Sequence, residues 1–244
     1  MRMSTRLVRL ARCNRVHVLP LRPRALSTAS NLSWRQSALV DPSKCADPLV
    51  ADGDLLVMPD VITEEEELVV AEECKRLLRR RRYEENHWDS VIVKFKEMER
   101  SRWSAETARI LDKVRQAPIV PQHLTYFPSV HVIDLDEDGY IMPHVDAIKF
   151  SGEVVAGISL LSPSIMRFKE EHGESIIEAH LPRRSMYMMT GRVRYHYTHE
   201  ILPGVQLFRG QEPVHRTRRI SIMIRDFHPD ELAQMPQRPT GDAR

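Results

Sequence analysis

The sequence predicts an α+β domain in which helices come first and a strand-rich sandwich or barrel follows. Three observations carry this. Thr63 and Glu66 form a capping box that opens a helix over residues 63–85. A second helix runs from Ser104 to Gln116 and stops before Pro118. From Tyr126 onward the chain breaks into eight short apolar stretches with turn signals between them: VHVIDL, GYIMPHV, EVVAGISLL, SIMRF, SIIEAHL, SMYMMTG, RYHYTHEIL and RRISIMIRDF.

The ends differ from this domain. Residues 1–40 contain no Asp or Glu, and residues 1–26 carry seven arginines, followed by the serines of STASNLS. An Arg-rich, Ser-bearing, acid-free start has the composition of a mitochondrial transit peptide, which predicts a leader over 1–26 and a destination in the mitochondrial matrix. Residues 27–52 read as a linker, 53–228 as the folded domain and 229–244 as a flexible tail. Without residues 1–26 the net charge changes from +2 to −5. An acidic domain is a poor general binder of phosphate backbones, so duplex DNA is not an expected partner. No apolar run reaches the roughly 18–20 residues of a membrane span. Cys13, Cys45 and Cys74 lack metal-finger spacing and read as free thiols.

The elements follow in order. DLLVMPDVI supplies a short strand ending near Pro59. In the first helix Leu68, Val69, Cys74, Leu77 and Leu78 recur at helical spacing. Glu64–Glu67 load the first turn and Arg79–Arg82 the last, which suits the helix dipole. Trp88, Trp103 and Tyr126 are expected to pack in the core.

The chemistry starts at His144-Val145-Asp146. On a strand, residues i and i+2 share a face, so His144 and Asp146 can offer two adjacent metal ligands. Two histidines and one carboxylate with open positions make the arrangement of non-haem Fe(II) oxygenases. Candidates for the third ligand are His172, His180, His196, His199, His215 and His228; His172 and His228 lie in polar, solvated contexts. His196 and His199 fall on opposite faces if RYHYTHEIL is one regular strand. A second constellation alternates strictly. Ile220, Ile222 and Ile224 form one face, and Arg219, Ser221, Met223 and Arg225 the other. Two arginines on one face could clamp a dicarboxylate; they could also protect an exposed edge strand.

Taken in order, GYIMPHVD, EVVAGISLLSPSIMRF, SMYMMTGRVRYHYTHEI and RRISIMIR resemble the AlkB family of Fe(II)/2-oxoglutarate dioxygenases, in particular its mitochondrial branch, over residues 54–227. The resemblance implies a double-stranded β-helix (jelly roll) with flanking N-terminal helices. It implies Fe(II) held by His144, Asp146 and His199, with 2-oxoglutarate and dioxygen as co-substrates. It places Arg219 on the distal carboxylate of 2-oxoglutarate, Arg225 near the proximal end and Tyr187 in hydrogen-bonding reach. Arg194, five residues before His199, is expected to pair with Asp146. It also links the chain with fatty-acid metabolism and alkylation-triggered necrosis, neither of which names a substrate.

Two departures bear on that substrate. Asp134 and Asp136 stand where nucleic-acid-acting relatives carry Asn and Tyr, and little chain is left before the barrel for nucleotide-gripping lids. A protein substrate, hydroxylated or demethylated, is therefore favoured. Mitochondrial RNA is the alternative, and a non-catalytic 2-oxoglutarate sensor a third reading. Ile148 and Phe150 add apolar surface beside the ligands, with Lys149 as a single charge.

Overall fold

The computed structural model describes residues 37–85, 91–148 and 151–228. The expected leader, the expected tail, Cys13, Trp88, Lys149 and Phe150 lie outside the described residues. Among the described residues twelve strands and three helices follow in the order β1 (Val40–Lys44), β2 (Leu55–Met58), α1 (Glu64–Leu78), β3 (Ile92–Arg100), α2 (Ala105–Arg115), β4 (Val130–His144), β5 (Val155–Leu160), β6 (Ser164–Glu170), β7 (Ile176–Leu181), β8 (Met186–Met189), α3 (Gly191–His196), β9 (Tyr197–Ile201), β10 (Val205–Phe208), β11 (Glu212–His215) and β12 (Arg219–Arg225).

Ten of the strands form one antiparallel system that folds into two facing layers through β4. The first half of β4 pairs with β12, setting Leu135 opposite Arg219 and His131 opposite Met223. Its last residues pair with β9, setting Ile141 opposite Ile201 and His144 opposite His199. One layer is thus β2-β8-β5-β12-β4, with β3 also on β4; the other is β4-β9-β6-β7-β1. This is the jelly roll, with the N-terminal helices at its flank.

The helices form where the sequence places their starts. Thr63 accepts from Glu66 N while Glu66 accepts from Thr63 N, closing the capping box. Ser104 caps α2. Val70, Cys74 and Leu78 of α1 and Ile110, Leu111 and Val114 of α2 are buried in the main core, whereas Leu68 is 56 % exposed. Glu66 joins the two helices through Lys113 at 2.7 Å. Burial pushes the Cys74 thiol up to about 12. It and Cys45 are free.

Several elements differ from expectation. α1 ends at Leu78, with Arg79 as its C-cap. The dipole therefore accounts for Lys75 and Arg76 in the last turn, while Arg80–Arg82 lie beyond it and are exposed. VHVIDL and GYIMPHV are one long strand. The expected turn at Asp136–Gly139 is a bulge, where β3 skips from Tyr140 to Leu135. Arg216, 4 % exposed, holds that bulge by donating to the carbonyls of Asp136, Glu137 and Gly139. RYHYTHEIL is not a single strand, because α3 covers its start. The expected linker carries β1, which pairs with β7. β3 and the β10–β11 hairpin sit in stretches without a sequence assignment. Trp103 and Tyr126 are half-buried against the core.

Candidate metal and 2-oxoglutarate site

β12 is central, between β4 and β5, so its arginines do not guard an edge. Registry also fixes its faces. Ile220, Ile222 and Ile224 pair with Leu160, Ile158 and Ala156, all fully buried. Arg219, Ser221 and Met223 share the opposite face, which looks between the two layers. On that face stand Ser159 of β5 and, across from Gly157, Tyr187 of β8.

His144, Asp146 and His199 converge from the other layer. Each offers one ligand atom, and these atoms lie within 4.8 Å of one another. Pairing of β4 with β9 sets the two histidines opposite each other, with ring centroids 4.2 Å apart. Nδ1 of His144 lies 2.9 Å from the carbonyl oxygen of Met142. A carbonyl can only accept, so Nδ1 carries the proton, and Nε2 is left to face Asp146 Oδ1 at 3.5 Å. In neutral His144 that places a lone pair against a carboxylate. Only a cation, a proton or a metal ion, relieves such a contact.

The electrostatics agree with a metal. Burial pushes His199 down to about 4, so its imidazole is neutral and able to ligate near pH 7. Burial alone would raise Asp146, but a hydrogen bond from His144 when that ring is protonated, a protonated His199 and the charge of Arg194 bring it well below the usual carboxylate range. A neutral His199, the Nε2 atom of His144 and an ionised Asp146 fit a divalent ion such as Fe(II).

Arg219 fits the second group. It is 2 % exposed; its Nε donates to Ser159 Oγ at 2.8 Å, and its Nη2 has no hydrogen-bond partner among the described residues. Burial pushes its pKa down to about 10. A buried guanidinium with an unfilled donor is matched by a carboxylate. Tyr187 is also buried, which raises its hydroxyl's pKa, and Asp146, Arg219 and Arg225 lie within electrostatic reach of it. Arg225 is half-buried at the far end of the strand. Gly157 leaves room for the tyrosine ring: a Cβ there would stand 2.7 Å from Tyr187 Cε1.

Other expectations change. Arg194 donates to the main-chain oxygen of Asp146 at 2.8 Å, and no hydrogen bond links it to that carboxylate. Asp134 is buried on the isoleucine face of the sheet, opposite Ile220, and Arg218 clamps it through two N–H groups at 2.8 and 2.6 Å. It does not face the pocket, so its acidity is no obstacle to an anion there. Of the remaining histidines, His196 ends α3 and is exposed, as are His172 and His215; His180 and His228 are half-buried. Sequence reasoning missed Ser159, Gly157 and the Met142 carbonyl. Their roles depend on cross-strand registry, although ISL and AGI mark a small residue on every second position.

Comparison with known proteins converges on the same chemistry. Residues 74–225 match the 2OG-Fe(II) oxygenase superfamily. The chain is 45 % identical over 161 residues to the alpha-ketoglutarate-dependent dioxygenase alkB homolog 7, mitochondrial, of Bos taurus, covering 64 % of this chain and 72 % of that protein. It is 41 % identical over 187 residues to the protein of the same name in Mus musculus, covering 76 % and 84 %. A prolyl hydroxylase from Trichoplax adhaerens, solved with a peptide fragment of hypoxia inducible factor, shares the fold at a TM-score of 0.53 and 10 % identity, over 76 % of this chain and 88 % of that one. The chain belongs to the AlkB family of the 2OG-Fe(II) oxygenase superfamily and is a dioxygenase that works with Fe(II), 2-oxoglutarate and dioxygen.

Proposed function

We propose that this chain is a mitochondrial dioxygenase that oxidises a carbon on a protein side chain, either hydroxylating it or removing an N-methyl group. The observation that carries the reading is the convergence of His144, Asp146 and His199, with Tyr187 within electrostatic reach of both Asp146 and Arg219, whose Nη2 donor is unfilled among the described residues. His144, Asp146 and His199 would hold Fe(II). Arg219, Tyr187 and Arg225 would hold 2-oxoglutarate. Bound together, the metal and co-substrate supply activation of dioxygen, with 2-oxoglutarate decarboxylated to succinate and a substrate C–H bond oxidised. The chain's own part is positional. The Met142 carbonyl fixes the His144 tautomer. Ser159 orients Arg219 to receive a carboxylate of the co-substrate, and burial of Arg219, Tyr187 and His199 keeps water from these side chains.

The mitochondrial part rests on the acid-free, arginine-rich residues 1–26 and on the names of the relatives. The choice of protein rests on the rim. Met142 and Ile148, on either side of the ligands, are 45 % and 49 % exposed and apolar. Glu97 and Glu99 share the Arg219 face of the sheet, opposite Ile133 and His131, where carboxylates repel a phosphate backbone. One observation favours mitochondrial RNA as a second reading: Arg79–Arg82 are exposed in a row, and Arg81 donates to the Glu97 carbonyl at β3. Mitochondrial protein and RNA treated with wild-type or His144→Ala enzyme, with Fe(II) and 2-oxoglutarate, separate the two. A peptide gaining one oxygen or losing one methyl with wild-type enzyme alone supports the protein reading. Formaldehyde from RNA, with every peptide unchanged, refutes it.

A further inference from the structure

β4 ends at His144, so Asp146 lies two residues past the paired part of its strand. What meets it there is α3, the short helix that replaces the start of the expected strand. Arg194 Nη1 donates to the Asp146 carbonyl oxygen at 2.8 Å, and the next residue, Tyr195, donates its hydroxyl to the Gly152 carbonyl oxygen at 3.1 Å. Neighbouring residues of one helical turn thus hold the chain before and after residues 149–150. Asp226 secures the far side by accepting from Glu153 N and Val154 N.

The contacts of Arg194, the Asp146 carbonyl and the Tyr195 ring 5.2 Å from its Cζ, do not satisfy its whole guanidinium. It is 1 % exposed, and Nε and Nη2 have no hydrogen-bond partner among the described residues. A buried guanidinium with two unpartnered nitrogens is a cost to the fold, and an apolar side chain of similar volume avoids it. Its position, however, links two of the three candidate ligands. One end of the side chain touches the Asp146 main chain, while its backbone lies five residues before His199 on the same segment. Its charge also reaches both side chains.

We propose that Arg194 is a positioning residue that sets where the Asp146 carboxylate stands relative to His199, and so tunes how tightly the site holds its metal. α3 exists at that point to deliver it. The proposal rests on the triad being the metal site, and the test distinguishes the two.

Mn(II) is titrated into the full chain and followed by electron paramagnetic resonance, without 2-oxoglutarate and without dioxygen, so that no turnover is involved. His144→Ala tests the site itself: Mn(II) binding as tight as wild type there overturns the metal-site reading. Arg194→Gln removes the charge and the fork; Arg194→Lys keeps the charge. The expected result is a dissociation constant raised about 10–100-fold in Arg194→Gln, as for partners of metal ligands elsewhere. Arg194→Lys falls between, and both metal-free variants melt within a few degrees of wild type. Folded variants that bind Mn(II) within about twofold of wild type overturn the proposal. So does failure of both variants to fold, which makes Arg194 a residue of the fold and not of the site.

Discussion

Replacing Arg219 by methionine separates two effects of one buried charge. In the ligand-free protein the guanidinium is a cost. Burial takes its pKa from 12.5 to about 10, which corresponds to about 3 kcal/mol against the charged form. Methionine removes that cost and loses the hydrogen bond to Ser159, worth about 1 kcal/mol. The net gain of about 2 kcal/mol raises Tm by about 4–8 °C for a chain of this size. Toward 2-oxoglutarate the sign reverses. Removing one member of a buried, hydrogen-bonded charge pair costs about 2–5 kcal/mol, so Kd for 2-oxoglutarate rises by about 30- to 4,000-fold. Thermal melts with and without 2-oxoglutarate, together with calorimetric titration, read both effects. A variant that melts several degrees lower without ligand, yet binds 2-oxoglutarate as wild type does, refutes the assignment.

Other substitutions test other parts. Gly157→Ala brings a methyl group into the Tyr187 ring. Overpacking of about 1–3 kcal/mol displaces the hydroxyl and raises KM for 2-oxoglutarate about tenfold, read by initial rates. Arg216→Met leaves the buried Gly139 carbonyl and the partly buried carbonyls of Asp136 and Glu137 without their donor. It costs about 2 kcal/mol and lowers Tm by about 4–8 °C in a thermal melt. Glu66→Gln tests the tie between α1 and α2. Burial alone would raise the Glu66 carboxyl, but Lys113, the Thr63 N–H and Arg109 hold it below its usual range. A depressed carboxyl contributes stability above its unfolded value of about 4.3 and loses it as pH falls through the folded value. The variant therefore loses about 1 kcal/mol of stability at pH 7 and converges on wild type once the pH has fallen through the depressed folded value, in a pH series of melts.

Legibility in the sequence followed the range of the interactions involved. The Thr63–Glu66 capping box, the Ser104 cap and the Ile220/Ile222/Ile224 alternation are local patterns, and each stands in the fold where the sequence placed it. His144, Asp146 and His199 were legible through their motif, and parity played little part. His144 is the last residue of β4 and Asp146 lies outside it, so strand alternation does not bring them together. Parity also failed to separate His196 from His199, because a helix ends at the first and a strand carries the second. The turn predicted at Asp136–Gly139 has turn-forming residues, but Arg216, almost eighty positions away, satisfies its carbonyls and lets the strand continue as a bulge. β3 reads as charged and irregular, with Lys94 in left-handed backbone, and gains its strand identity from β4. The partners of Asp134 and Arg194 are long-range in the same way, so their residue types were visible and their contacts were not.

The central claim is that His144, Asp146 and His199 form the iron centre of a 2-oxoglutarate-dependent oxidation. The most direct measurement is succinate formed from 2-oxoglutarate by the purified chain with Fe(II) and dioxygen, for wild type and for His144→Ala, Asp146→Ala and His199→Ala. The account predicts succinate from wild type, none after chelation of the metal, and a loss of at least about a hundredfold in each variant. Succinate at the wild-type rate from any one of the three would contradict it.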